Sequence, residues 1–190
     1  MSINLLEAIQ KNLRYPPLQK IDPNTQQTDQ VKPGERFSQA AIPAILIAFY
    51  EYSRNDDAAK KILSAEDANW IGNLFADNKK QAVERIAAYA KTSPEETLNK
   101  MNEIANETVL EIRKAVPADA TILLVKDFLA GQRNSILPYL PAGIKMGILL
   151  NDATLDDNTN KMDGPISSLM HAIGGQFSTP DIEKGRELPE

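Results

Sequence analysis

Residues Ser93–Val116, SPEETLNKMNEIANETVLEIRKAV, decide the fold. Ser93 suits an N-cap, because its hydroxyl can accept from an orphan N–H of the first turn. Pro94 follows at the first helical position, where its missing N–H costs nothing, and Glu95 and Glu96 set negative charge at the positive end of the helix dipole. Beyond the cap, Leu98, Met101, Ile104, Ala105, Thr108, Val109, Ile112, Ala115 and Val116 recur at helical spacing, while Asn102, Glu103, Glu107, Glu111 and Lys114 fill the other face. Pro117 closes the helix. A helix with one apolar stripe must bury it, so the flanking segments have to supply matching faces.

Towards the N-terminus, Asn78 with Gln81 predicts a capped helix reaching Ala90. Ser64-Ala65-Glu66-Asp67 resembles a capping box for a helix through Trp70 and Phe75, and Asn55-Asp56 a cap for a short helix ending near Leu63. Phe37–Ser53 is apolar nearly all round, through Ile42, Ile45, Leu46, Ile47, Phe49 and Tyr50, which predicts a central helix packed on several sides with Pro43 in its first turns. Ile3, Leu5, Leu6, Ile9 and Leu13 predict an amphipathic helix over 2–14, stopped by Tyr15-Pro16-Pro17. Residues 15–34 hold four prolines and no strong periodicity, as expected of an extended wrapped segment, with one helical turn at Asp22-Pro23.

Towards the C-terminus, Ala118–Leu129 predicts a helix ended by Gly131, and Ile136–Leu150 another, interrupted early by Pro138, Pro141 and Gly143. Gly143 and Gly147 suggest a close helix approach. Pro165–Ile173 predicts a short helix after a polar stretch at 151–164. No alternating run is bounded by hairpin turn residues. The expected fold is all-α, a compact bundle of about seven to nine helices without significant sheet. Residues 1–177 form one expected domain, and 178–190 a flexible tail. Ala41–Leu46 and Tyr139–Ile144 share a Pro-Ala pattern, and Asp56-Asp57 and Asp156-Asp157 follow them; a short match of this kind arises readily by chance in Ala-rich helices, and an old helical duplication is the competing reading.

Composition removes several functions. The 190 residues include no cysteine, which excludes disulfides, thiolate metal sites and a cysteine nucleophile. The one histidine, His171, excludes a multi-histidine metal site within one chain and is expected to be structural. No phosphate loop, dinucleotide fingerprint or nucleophile elbow is present. A net charge of -5, with basic residues no more than paired at Lys60-Lys61 and Lys79-Lys80, argues against nucleic acid as a partner. The longest uncharged run, Phe37–Tyr50, is shorter than the roughly 18 residues a membrane span needs, and the N-terminus lacks the pattern of a secretory signal. A cytoplasmic location is the expectation.

The polar stretch 151–164 is where chemistry is most legible. Asp156, Asp157, Asn158, Asn160 and Asp163 are hard oxygen donors of the kind a divalent metal takes. A calcium loop starting at Asp156 places Lys161 where the turn needs glycine and Ser167 where the bidentate glutamate belongs; one starting at Asp152 places Asp157 at the glycine position. The competing reading is a solvated loop whose side chains bond to nearby backbone. Glu103, Glu107 and Glu111 share a helix face and, lacking a Glu-x-x-His partner, are expected to form a solvent-facing stripe. Trp70, Phe75 and Tyr89 are expected to pack against neighbouring helices.

Read in order, Leu5-Leu6-Glu7-Ala8-Ile9, Ala41-Ile42-Pro43-Ala44-Ile45-Leu46, Gly72-Asn73-Leu74-Phe75 and the Ser93-Pro94-Glu95-Glu96 cap resemble the YidB-like family of small bacterial helical proteins of unknown function. The resemblance spans residues 2–116, departs from the pattern at Asp77 and Asn106, and implies an all-helical architecture with no active site to carry over. The leading functional expectation is a non-enzymatic protein-interaction or scaffold module, contacting a protein partner or itself through 15–34 and 151–164 and needing no cofactor. The alternative is a protein that binds a small ligand or divalent metal through 151–164, with catalysis included in its scope.

Overall fold

Arg36–Ser53 (α2) is the axis of the molecule. In the computed structural model, which describes residues 3–21, 31–65 and 69–155, every side chain of α2 from Phe37 to Phe49 is buried. No face of that stretch carries a charge, so each side can be covered by another helix. Leu5–Asn12 (α1), Asp56–Ser64 (α3), Trp70–Phe75 (α4), Lys79–Ala90 (α5), Pro94–Ala115 (α6) and Ile122–Ile136 (α7) all pack against it. A five-residue helix, Met146–Leu150 (α8), closes one end. The described residues contain no β-strand, and the fold is all-α. Ile42, Ile45, Leu46, Ile47, Ile86, Met101 and Ile104 are fully buried in one continuous core. Each contributes roughly 1.5–3 kcal/mol through loss of water-exposed apolar surface.

The caps explain where most helices start. Ser93 accepts from Glu96 N–H at 3.2 Å and opens α6. Asn55 accepts from Asp57 and Ala58 N–H at 2.9 and 3.2 Å and opens α3. Pro43 lies two turns inside α2, because that helix grows from a 3-10 turn at Pro33–Glu35 and begins at Arg36.

Several boundaries differ from the sequence reading. Ser64 is the last residue of α3 and gives its hydroxyl to the Lys61 carbonyl, with Ala65 left-handed behind it; the cap of α4 is Asn69, which accepts from Gly72 N–H at 3.3 Å. Asn78 precedes α5 but makes no side-chain cap bond. Gly131 does not end α7. That helix is capped by Thr121 and runs from Ile122 to Ile136, since Leu129, Gln132 and Ile136 continue the buried face on both sides of the glycine. The expected helix over Ile136–Leu150 breaks into two 3-10 turns, Leu137–Tyr139 and Ala142–Ile144, before α8. Pro138 and Pro141 each remove a helical donor there. A Cβ placed on Gly143 would meet nothing, so no close helix approach occurs at that glycine. The Pro-Ala segments thus differ in conformation, Ala41–Leu46 being helical and Tyr139–Ile144 two turns.

Two buried glutamines tie distant chain to this frame. Gln132 accepts from Leu5 N–H at 2.9 Å and donates to the Ile3 carbonyl at 3.0 Å, holding the start of α1 against α7. Gln39 accepts from Gln19 N–H at 2.8 Å and donates to the carbonyls of Gln19 and Tyr139 at 3.0 and 2.8 Å. Ile21 N–H donates to the Pro138 carbonyl at 2.8 Å, so residues 15–21 lie extended beside the Leu137–Tyr139 turn.

Candidate functional site

Glu51 is the one charged residue between Phe37 and Ser53, and it falls in the last turn of α2. There the helix end faces the junction of α4 and α5 on one side and α8 on the other, enclosing a cleft of about 470 Å³. That volume is within the range of small-molecule sites. Leu74, Phe75, Leu149 and Leu150 back the cleft while themselves mostly buried, and Glu51, Asp77, Asn78 and Asn151 bring polar groups to a lining that is more polar than apolar.

The walls are fixed by hydrogen bonds over long chain separations. Asn78 donates from Nδ2 to the Leu149 carbonyl at 2.9 Å. Arg85 donates to the carbonyls of Ile144 and Lys145 at 3.1 and 3.2 Å, fastening the approach to α8 onto α5. The backbone of the lining is unusual for its residue types. Ala76 has φ 44° and ψ -122°, and Asn151 has φ 56° and ψ 33°. Asparagine tolerates the left-handed region, but the Ala76 conformation is sparsely populated for any residue with a Cβ and costs about 1–3 kcal/mol. Such strain concentrates at ligand clamps and is held only where the surroundings over-determine it.

The electrostatics centre on Glu51. Its side chain is 12% exposed and receives Arg54 Nη1 on Oε2 at 2.9 Å. Its Oε1 is fully buried without a hydrogen-bond donor. The neighbouring carboxyl is Asp152, which lies within hydrogen-bond reach of the Glu51 side chain. Asp152 is held below the ordinary carboxylate range. Burial pushes it up, but this is outweighed by the Thr154 hydroxyl and N–H, by the Glu51 carboxyl and by the Arg54 guanidinium. Both Thr154 donors reach Asp152 Oδ1, at 2.7 and 3.0 Å.

Asn151 and Asp152 are the first residues of the polar stretch singled out in the sequence, and both are found at this end of the fold. Asp156, Asp157, Asn158, Asn160 and Asp163 lie outside the described residues, as do His171, the expected helix at 165–173, the tail and the turn at Asp22-Pro23. Among the described residues no three acidic or histidine side chains converge as a metal site would require. The glutamates of α6 do not form a uniformly solvent-facing stripe. Glu103 is exposed, but Glu107 and Glu111 both accept from Asn12 Nδ2, at 2.8 and 3.0 Å, and Glu111 is buried against α1 with Lys114 on its Oε1 at 2.6 Å. Trp70 and Phe75 are buried, Trp70 packing on Phe49 with ring centroids 5.7 Å apart; Tyr89 is half-buried.

Sequence reasoning missed Glu51, Asp77 and Asn78 as partners in one site. A usable signal existed in Glu51, a lone charge in a helix otherwise apolar all round. Among the described residues no helix is long and apolar enough to cross a membrane. No family model, curated protein or solved structure matches the chain.

Proposed function

We propose that this chain binds a small organic ligand in the cleft at the C-terminal end of α2, and that it acts by binding rather than by catalysis. The observation that carries the reading is the cleft itself, about 470 Å³ between the end of α2, the α4–α5 junction and α8, with Glu51, Asp77, Asn78 and Asn151 all brought to its lining. The strained backbone of Ala76 at the same lining supports the reading independently.

A thermal-shift screen of the full chain against a fragment library tests it, since a ligand at a hundred times its dissociation constant adds about 2.7 kcal/mol of stability. Leu150→Trp, which fills the cleft, should abolish the shifts of genuine binders. Shifts that survive this substitution, or a library without binders, would count against the reading.

A second reading keeps the chain as a protein-contact module. Leu123 and Leu124, in the first turn of α7, are 62% and 41% exposed, and Leu110 on α6 is also exposed. Large apolar side chains in water favour contact with a protein partner or a second copy. Sedimentation over a concentration series, with Leu123→Ser as control, tests it. The YidB-like resemblance and a bacterial, cytoplasmic setting belong to the same proposal; the resemblance adds a helical frame and no active site.

A further inference from the structure

We infer that the exposed apolar start of α7 is the docking surface for the chain's own segment 165–173, which packs on it as a short amphipathic helix. The surface is the first argument. Leu123 and Leu124 turn towards water at the start of a helix that buried Val125 and Leu129 hold to the core. Phe128, one turn beyond Leu124, is only half-buried, and Ala130 and Gly131 are exposed. Among the exposed positions from Leu123 to Gly131 the one charged residue is Asp127. Single apolar side chains on a surface are ordinary, but two adjoining leucines continued by an aromatic ring make a strip that favours a contact.

The sequence of the segment is the second argument. Ile166, Leu169, Met170 and Ile173 stand at i, i+3, i+4 and i+7, while Ser167, Ser168 and His171 fall on the opposite side of the same helical wheel. A helix this short does not hold by itself in water, so the pattern asks for a surface on which to bury its apolar stripe. The chain carries a net charge of -5, yet no acidic residue lies between positions 164 and 180, and the segment meets Asp127 without repulsion.

Position is the third, and it selects this occupant over a separate protein or a second copy. The described residues end at buried Leu155, one 3-10 turn after Asp152. Asp152 and Arg54 attract one another at the corner between α2 and α3. At the same corner Asp56, the first residue of α3, forms an ion pair with Lys126, one turn from Leu123 on α7. The end of the described chain and the apolar strip thus flank one corner. Residues 156–164 reach roughly 30 Å when extended, enough to join them. A segment on so short a tether acts at roughly millimolar effective concentration, so a contact of a few side chains suffices where an untethered partner would need a larger one.

Methyl-labelled NMR of the full chain tests the inference. Nuclear Overhauser contacts should join the Leu123 and Leu124 methyls to those of Ile166, Leu169, Met170 or Ile173 and should persist on dilution. The double variant Leu169→Ser, Met170→Ser should move the Leu123 and Leu124 methyl signals. Leu123→Ser should speed amide exchange over 166–173 at least about tenfold while leaving α2 unchanged. Leu123 is exposed, so this substitution does not threaten the core, and the double variant reads the same contact from the other side. Methyls of Leu123 and Leu124 indifferent to the double variant, or wild-type exchange over 166–173 already at the rate of a free peptide, would overturn the inference. Contacts found only between labelled and unlabelled molecules in a mixed sample would give the surface to a second copy and overturn it as well.

Discussion

Asn78 donates its side-chain amide to the Leu149 carbonyl at 2.9 Å, joining residues 71 positions apart. This bond spans the two walls of the cleft, the α4–α5 junction and α8, and it explains why Asn78 is not spent as a helix cap. Asn78→Ala should lower stability by about 1–2 kcal/mol, because the carbonyl loses its partner in a half-buried setting. It should also weaken any cleft ligand. Urea unfolding checks the first effect, and an unchanged midpoint would show that the walls are held by packing alone.

Gln39 holds more of the chain than its size suggests. Gln39→Ala removes three hydrogen bonds and leaves backbone groups of Gln19 and Tyr139 to find other partners, for an expected cost of about 2–3 kcal/mol. Hydrogen exchange at Gln19 N–H should accelerate in the variant well beyond the global change. Equal acceleration across all helices would mean that residues 15–21 are not specifically anchored by this side chain.

Asp152 gives a pH dependence with a defined sign. Its carboxyl is held below the ordinary value, so the group contributes stability that is fully present above the unfolded value of about 3.9 and is lost as pH falls through the lower folded value. Asp152→Asn should therefore melt below wild type at neutral pH. The two curves of Tm against pH should converge in the acid limb, below about pH 4. A gap that stays constant with pH would assign the loss to Thr154 packing and not to charge.

Ser93→Ala tests the helix on which the sequence reading began. Loss of the hydroxyl that accepts from Glu96 N–H should cost about 1 kcal/mol, and Ser93→Gly a few tenths. Equilibrium unfolding of the pair checks it; equal losses would mean that the cap is not the source of the effect.

Helix identity was legible wherever local chemistry and core burial agreed. Ser93 and Asn55 cap because nothing else competes for their oxygens, and the all-apolar run at Phe37–Phe49 could only be central. Boundaries failed where a long-range partner won over a local one. Asn78 has cap chemistry but bonds to Leu149, and Gly131 has stop chemistry but lies outside a face that Leu129, Gln132 and Ile136 keep buried. The cleft was hidden for the same reason. Glu51, Asp77, Asn78 and Asn151 come from three separate parts of the chain, and no spacing rule links them before the helices pack. Asp152 was visible as part of a polar stretch, but its neighbour Glu51 was not.

The central claim is that the end of α2 is a ligand site, and protein-observed NMR titration with the binders from the fragment screen tests it most directly. Shifts should concentrate on residues 51–52, 74–78 and 149–152, including the side-chain amides of Asn78 and Asn151, and should vanish in Leu150→Trp. Binders that shift instead the first turn of α7 around Leu123, or that leave 74–78 and 149–152 unmoved, would contradict it.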